Sequence, residues 1–183
     1  MKKTVMLFAE GFEEVEALTV VDLLRRAEIG CNMIALDDTE MVTGSHGISV
    51  RMLGSLGSVG LDRYDALLLP GGQPGTRNLA ADERVLDALR RFHAAGKLTA
   101  AICAAPTVLA GAGVLDGRRA VCYPGLEPQL SGSLGGDGPV EVDGTVITSR
   151  GVGTAIPFAL AIVEYYLGEE KARELARAIV YKQ

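Results

Sequence analysis

A chain of 183 residues, 48% of them hydrophobic, is long enough to bury one core without disulfides or a structural metal, and it reads as a single domain over 1–183. Its formal net charge of −5, with no basic run, gives no electrostatic reason to expect DNA, RNA or an anionic membrane as a partner. The apolar run after Lys3 breaks at Glu10 and no signal peptide or transmembrane span is recognisable, so a soluble, cytoplasmic protein is expected.

Strand-length apolar runs alternate with amphipathic stretches along the chain. Thr4 to Ala9 reads as a buried strand, and Glu14 to Ala27 as a helix with Val15, Leu18, Val21 and Leu24 at helical spacing and Gly30 as a stop. Cys31 to Leu36 and Ile48 to Met52 read as strands, the second in a hairpin behind the turn signals from Gly44 to Gly47. Asp65 to Pro70 (DALLLP) is a buried strand, Asp82 to Ala95 a helix facing the core with Val85, Leu89 and Phe92, and Leu98 to Ile102 another buried strand. A helix is predicted to start just after Cys103. Leu126 to Gly138, rich in Gly, Ser and Pro, reads as a mobile loop. Val146 to Thr148 is the last strand, followed by helices over Pro157 to Leu167 and Glu169 to Val180. Near-continuous apolar strands separated by helices predict an α/β fold with a doubly wound, mostly parallel sheet covered on both faces.

In such sheets ligands bind beyond the carboxyl ends of the strands. Three segments converge there: Glu10 to Glu16, Gly71-Gly72 and Cys103. Ala101, Ala104 and Ala105 give Cys103 the small neighbours that a sharp strand-to-helix turn requires, and Pro106 suits a helix's first turn. A thiol at a helix N-terminus should ionise more readily than usual. A buried structural cysteine fits the pattern about as well. Gly71 and Gly72 allow close backbone approach, so the N–H groups of Gly72 and Ala104 could form an oxyanion hole, or simply a turn. Glu13 and Glu14 read as complements to the helix dipole; Glu16, one turn in, would have to keep its proton if it faced a thiolate. His93 and His46 read as a helix-end and a turn residue. Arg25 and Arg26 read as the polar side of the first helix, Cys31 as strand packing, and Cys122 as partly exposed at a strand end near the site. With three widely spaced cysteines, no Cys/His cluster and no G-x-G-x-x-G loop, neither a metal nor an organic cofactor is expected.

Five segments in order resemble the ThiJ/PfpI superfamily, in the branch of the human Parkinsonism-associated protein deglycase and its bacterial relatives. They are Gly11 to Ala17, Leu69 to Gly72, Ala101 to Ala104, Thr148 to Thr154 and Phe158 to Glu164. The resemblance implies a flavodoxin-like fold and a homodimer. It implies Cys103 as the reactive cysteine, Glu16 as its protonated partner, Gly72 and Ala104 as amide donors, and Tyr123, Gly71 and Arg150 as residues of the pocket. It further implies glyoxalase or deglycase activity on a small reactive carbonyl such as methylglyoxal, with oxidative-stress protection and chaperone activity. The alternative is a redox sensor whose cysteine is oxidised to sulfinate. Relatives often carry a histidine where this chain has Tyr123, and a phenol with a reference pKa of about 10 is a weak base at neutral pH. Ala104 argues against the protease-like branch, which has a histidine after its cysteine. Arg150-Gly151-Val152 lacks the His-x-Glu of glutamine amidotransferases.

Overall fold

The computed structural model describes residues 2–182. In chain order the elements are β1 (Lys3–Phe8), α1 (Glu14–Arg26), β2 (Gly30–Ala35), β3 (Met41–Thr43), β4 (Ser49–Arg51), β5 (Gly54–Ser55), β6 (Ala66–Leu69), α2 (Gly75–Ala81), α3 (Glu83–Ala94), β7 (Leu98–Ile102), α4 (Pro106–Gly111), β8 (Val140–Asp143), β9 (Val146–Ser149), α5 (Ala155–Leu167) and α6 (Glu169–Ala178). Seven strands form one sheet in the order β5-β2-β1-β6-β7-β9-β8, with β8 alone antiparallel to its neighbour, and β3 and β4 form a separate hairpin. This is a flavodoxin-like fold.

Strand periodicity builds two cores from one sheet. On β1, Met6 and Phe8 face the layer of α1, α5 and α6, while Val5 and Leu7 face the layer of α3 and α4. The sheet is therefore buried on both sides, which is why its strands read as continuous apolar runs. The chain runs from β1 outward to β2 and β5, then crosses back to β6 on the other side of β1. That reversal opens a crevice at the carboxyl ends of β1 and β6, where doubly wound sheets bind their ligands.

Several expectations need correction. The buried face of α1 is Ala17, Val20, Val21 and Leu24, whereas Val15 is half exposed and Leu18 only partly covered, because α5 packs one position round from the predicted stripe. The helix after Cys103 starts at Pro106 and spans only six residues. Residues 120–122 are not a strand, and Cys122 is fully buried in the α3/α4 core. The segment 126–138 is tied to the body by Gly117 N–H to Gly132 O, Leu134 N–H to Arg118 O and Ala120 N–H to Gly135 O. Among the described residues, no helix is long and apolar enough to cross a membrane.

Candidate functional site

Cys103 stands at the end of β7 with φ of 66°, in the left-handed region that side-chain-bearing residues rarely occupy. Its backbone is held on both sides: its N–H donates to Ser149 O at 2.9 Å, and its carbonyl accepts from Tyr123 N–H at 2.7 Å. Ala101 and Ala105 are fully buried against the turn. The side chain itself remains partly accessible.

The loop after β6 closes the other wall. A Cβ on Gly71 would lie 2.5 Å from the Cys103 Cβ and 2.6 Å from Glu16 Oε2, so glycine is what lets thiol and carboxyl meet there. Gly72 has φ of 92°, and a Cβ on it would lie 2.3 Å from Glu13 N. The segments Gly11 to Glu16 and Gly71-Gly72 thus fit directly into one another, with Glu13 N–H donating to Gly71 O at 2.8 Å.

Glu16 is completely buried. Its Oε2 accepts from Gly71 N–H at 3.0 Å, and its Oε1 has no hydrogen-bond partner. Burial pushes the carboxyl up to about 7; the bonds from Cys103 and Gly71 oppose the rise and the nearby Glu13 charge assists it. The Cys103 thiol does not ionise more readily, as its position before a helix suggested. Burial first, then the Glu16 charge, push it up to about 12 against the pull of the Ala104 and Gly72 N–H groups. The six-residue α4 offers little dipole to offset this. The Glu16 charge discourages ionisation of the thiol, while the bond from Cys103 favours the carboxylate, so the pair keeps at least one proton at neutral pH. When that proton resides on Glu16, the main charge opposing the thiolate is gone and both backbone amides favour it.

The first turn of α1 does more than complement a dipole. Glu13 is the N-cap, its Oε2 accepting from Glu16 N–H at 2.7 Å. Glu14 is buried and grips the β3–β4 loop: its Oε1 accepts from His46 N–H at 2.7 Å and its Oε2 lies 2.9 Å from His46 Nδ1. Burial works to raise the Glu14 carboxyl, but the bonds from His46 outweigh it and hold the pKa at about 2. Gly44 makes room, since a Cβ there would lie 2.3 Å from Glu14 Cδ. The sequence hid this contact because Glu14 and His46 are 32 residues apart; the one available signal was the Gly-Ser-His-Gly turn.

Of the other expected pocket residues, Tyr123 is exposed, its ring 3.6 Å from where a Gly151 Cβ would sit and on the side of Glu16 Oε1. Arg150 pairs with Glu127 at 3.6 Å and lines a neighbouring cavity of about 130 Å³ beside Cys122; none of its hydrogen bonds or ion pairs reaches Cys103 or Glu16. A groove of about 700 Å³ lies at the opposite end of the strands, between Lys2, Ile29 and Leu175, and no cysteine lines it.

Known proteins share this topology and much of this sequence. The DJ-1/PfpI family matches residues 2–165. Protein dj-1beta of Drosophila melanogaster is 40% identical over 98% of this chain and 97% of its own, and its crystal structure superposes with a TM-score of 0.95. A deglycase of Pyrococcus horikoshii is 35% identical over 81% of this chain and 89% of its own. A structure of oxidized Toxoplasma gondii DJ-1, 35% identical and covering 100% of both chains, superposes with a TM-score of 0.96. Matches of this extent, running through each of the segments that build the elbow and its carboxyl, place the chain in the DJ-1/PfpI family.

Proposed function

We propose that the chain is a cofactor-free, cysteine-dependent glyoxalase or deglycase acting on methylglyoxal or its adducts. The observation that carries this reading is the buried Glu16 carboxyl set against a thiol on a strained elbow, where the absence of a side chain on Gly71 lets the two meet. The Pyrococcus deglycase among its relatives supports it.

In this mechanism the thiol proton passes to Glu16 and the thiolate attacks the aldehyde carbon of methylglyoxal. The C–S bond forms, the carbonyl π pair moves onto oxygen, and the Gly72 and Ala104 N–H groups hold the developing oxyanion before it takes a proton. Glu16 gives that oxygen the thiol proton, then carries the proton lost from C1 to C2 while the C1 hydroxyl proton passes to the C2 oxygen, which leaves a lactoyl thioester on Cys103. Water adds to the thioester, the C–S bond breaks, and lactate leaves with the thiol restored. In the deglycase version the same attack falls on the adduct's carbonyl-derived carbon, and the amine or thiol it had modified is the leaving group.

A second reading rests on Glu16 Oε1, which lacks a partner, and on the partial access to Cys103. If Oε1 carries the proton, it can donate to an oxygen of an oxidised sulfur, with Cys103 then serving as a sensor. Methylglyoxal consumption and lactate release by the purified chain and by Cys103→Ala decide between the two. Catalytic turnover abolished in Cys103→Ala supports the enzyme. No turnover by the wild-type chain, with sulfinate formed at limiting peroxide, supports the sensor.

A further inference from the structure

We propose that Glu13, Glu14 and His46 form a binding site for a divalent transition-metal cation, with zinc the best match to the donor set. Their ligand atoms all lie within 4.8 Å of one another. His46 Nδ1 is 2.9 Å from Glu14 Oε2 and 3.9 Å from Glu13 Oε1, and Ser45 Oγ stands 3.1 Å from the same nitrogen. A tetrahedral zinc ion with bonds of about 2.0–2.2 Å separates its donors by roughly 3.4 Å. The two distances from His46 Nδ1 to the carboxylates each need to change by only about half an ångström to meet that spacing.

Two features distinguish this site from an ordinary acidic helix start. Glu13 and Glu14 are adjacent carboxylates, both nearly fully buried, and His46 is the only cationic group that pairs with either among the described residues. Glu13 Oε2 is occupied by the Glu16 N–H, but its Oε1 takes no hydrogen bond and faces His46. A cation supplies the positive charge that one exposed imidazole provides only weakly.

The donors are also held in place. Glu14 keeps its Oε1 on the N–H groups of His46 and Ile48, at 2.7 and 3.4 Å, so Oε2 is aimed by the bonds of its twin. Ser45 N–H donates to Phe12 O at 2.8 Å, which fixes the loop against the segment that carries both carboxylates. Supporting bonds of this kind orient metal ligands. The His46 side chain is 71% exposed, which gives a cation a path from solvent. The site uses no thiol, so it is independent of the Cys/His clusters whose absence the sequence shows.

The test is calorimetric titration of zinc chloride into the wild-type chain, Cys103→Ala, His46→Ala and Glu13→Gln. One zinc per chain is expected in the wild type and in Cys103→Ala, with affinity at least about tenfold weaker in His46→Ala and Glu13→Gln. His46 is exposed and glutamine keeps the capping carbonyl, so both variants should stay folded, as circular dichroism will show. X-ray absorption of the zinc-loaded wild type should show only nitrogen and oxygen neighbours at about 2.0–2.2 Å. No binding by the wild type, wild-type affinity in either ligand variant, loss of binding in Cys103→Ala, or a sulfur neighbour at about 2.3 Å overturns the proposal.

Discussion

A side chain at φ of 66° costs of order 1–3 kcal/mol, and at Cys103 both backbone hydrogen bonds hold it there. What the strain achieves is direction: the sulfur leaves the sheet at the crevice and meets Glu16 and the amides of Gly72 and Ala104. Glu16→Gln should remain folded and keep an acceptor for Gly71 N–H, yet lose the group that moves protons. Methylglyoxal turnover should then fall by roughly 10²–10⁴-fold, measured beside thermal unfolding. Turnover by the wild type should rise as pH climbs through about 7, because Glu16 can take the thiol proton only after releasing its own at about 7. Gly72→Ala joins a φ of 92° to a 2.3 Å approach to Glu13 N, so it should destabilise the chain by at least about 1–3 kcal/mol in denaturant titration. At this scale the residues were largely legible in the sequence: Cys103, Glu16, Gly71, Gly72 and Ala104 do come together. The thiol's raised pKa was not, because it depends on burial and on which carboxyl faces it. The pairing of Arg150 with Glu127 was not either, because Glu127 comes from a separate loop.

At the scale of elements, α1 is the part that must be positioned, and two loops position it. Gly71-Gly72 presses on it from one side and the β3–β4 loop clasps Glu14 from the other. Glu14→Ala would leave the His46 and Ile48 N–H groups without their acceptor, a loss of about 1–3 kcal/mol. Two shifted carboxyls also give stability a pH signature. Glu14 falls from 4.5 to about 2 in the folded chain, so its contribution is present above pH 4.5 and lost as pH drops toward 2. Glu16 rises from 4.5 to about 7, so the folded chain binds a proton that the unfolded chain releases, and that contribution is lost as pH climbs from 4.5 through 7. Melting temperature against pH should therefore fall on the acid side less steeply in Glu14→Gln and on the neutral side less steeply in Glu16→Gln than in the wild type. The strands β1, β6, β7 and β9 were readable because each is apolar on both faces. By contrast β5, of two residues, α2, opened by Gly75, and β8, an edge strand with charged Glu141 and Asp143, carry no such pattern.

Across the whole molecule, one sheet separates two cores, and a truncation such as Leu68→Ala or Leu67→Ala should cost about 2–5 kcal/mol on whichever side it falls. The half-exposed Val15 and partly covered Leu18 form an apolar stripe on the outer side of α1. An assembly that covers it is the expected state of the chain; solution mass should correspond to a homodimer, and Leu18→Glu should shift it to the monomer. The same sheet also isolates the reactive sulfur. Cys103 packs against the α1 side and Cys122 lies in the α3/α4 side, while Cys31 pairs with Thr4 near the amino ends of the strands, away from the elbow. A disulfide needs two Cβ atoms about 3.8 Å apart and aimed at each other, and these three are divided by a layer of backbone or by the length of a strand. Once Cys103 becomes a sulfenic acid, the chain has no second thiol with which to resolve it. Its repair is left to whatever small thiol can diffuse into the crevice, so recovery from peroxide should track the concentration of added glutathione and be unchanged in Cys31→Ser and Cys122→Ser.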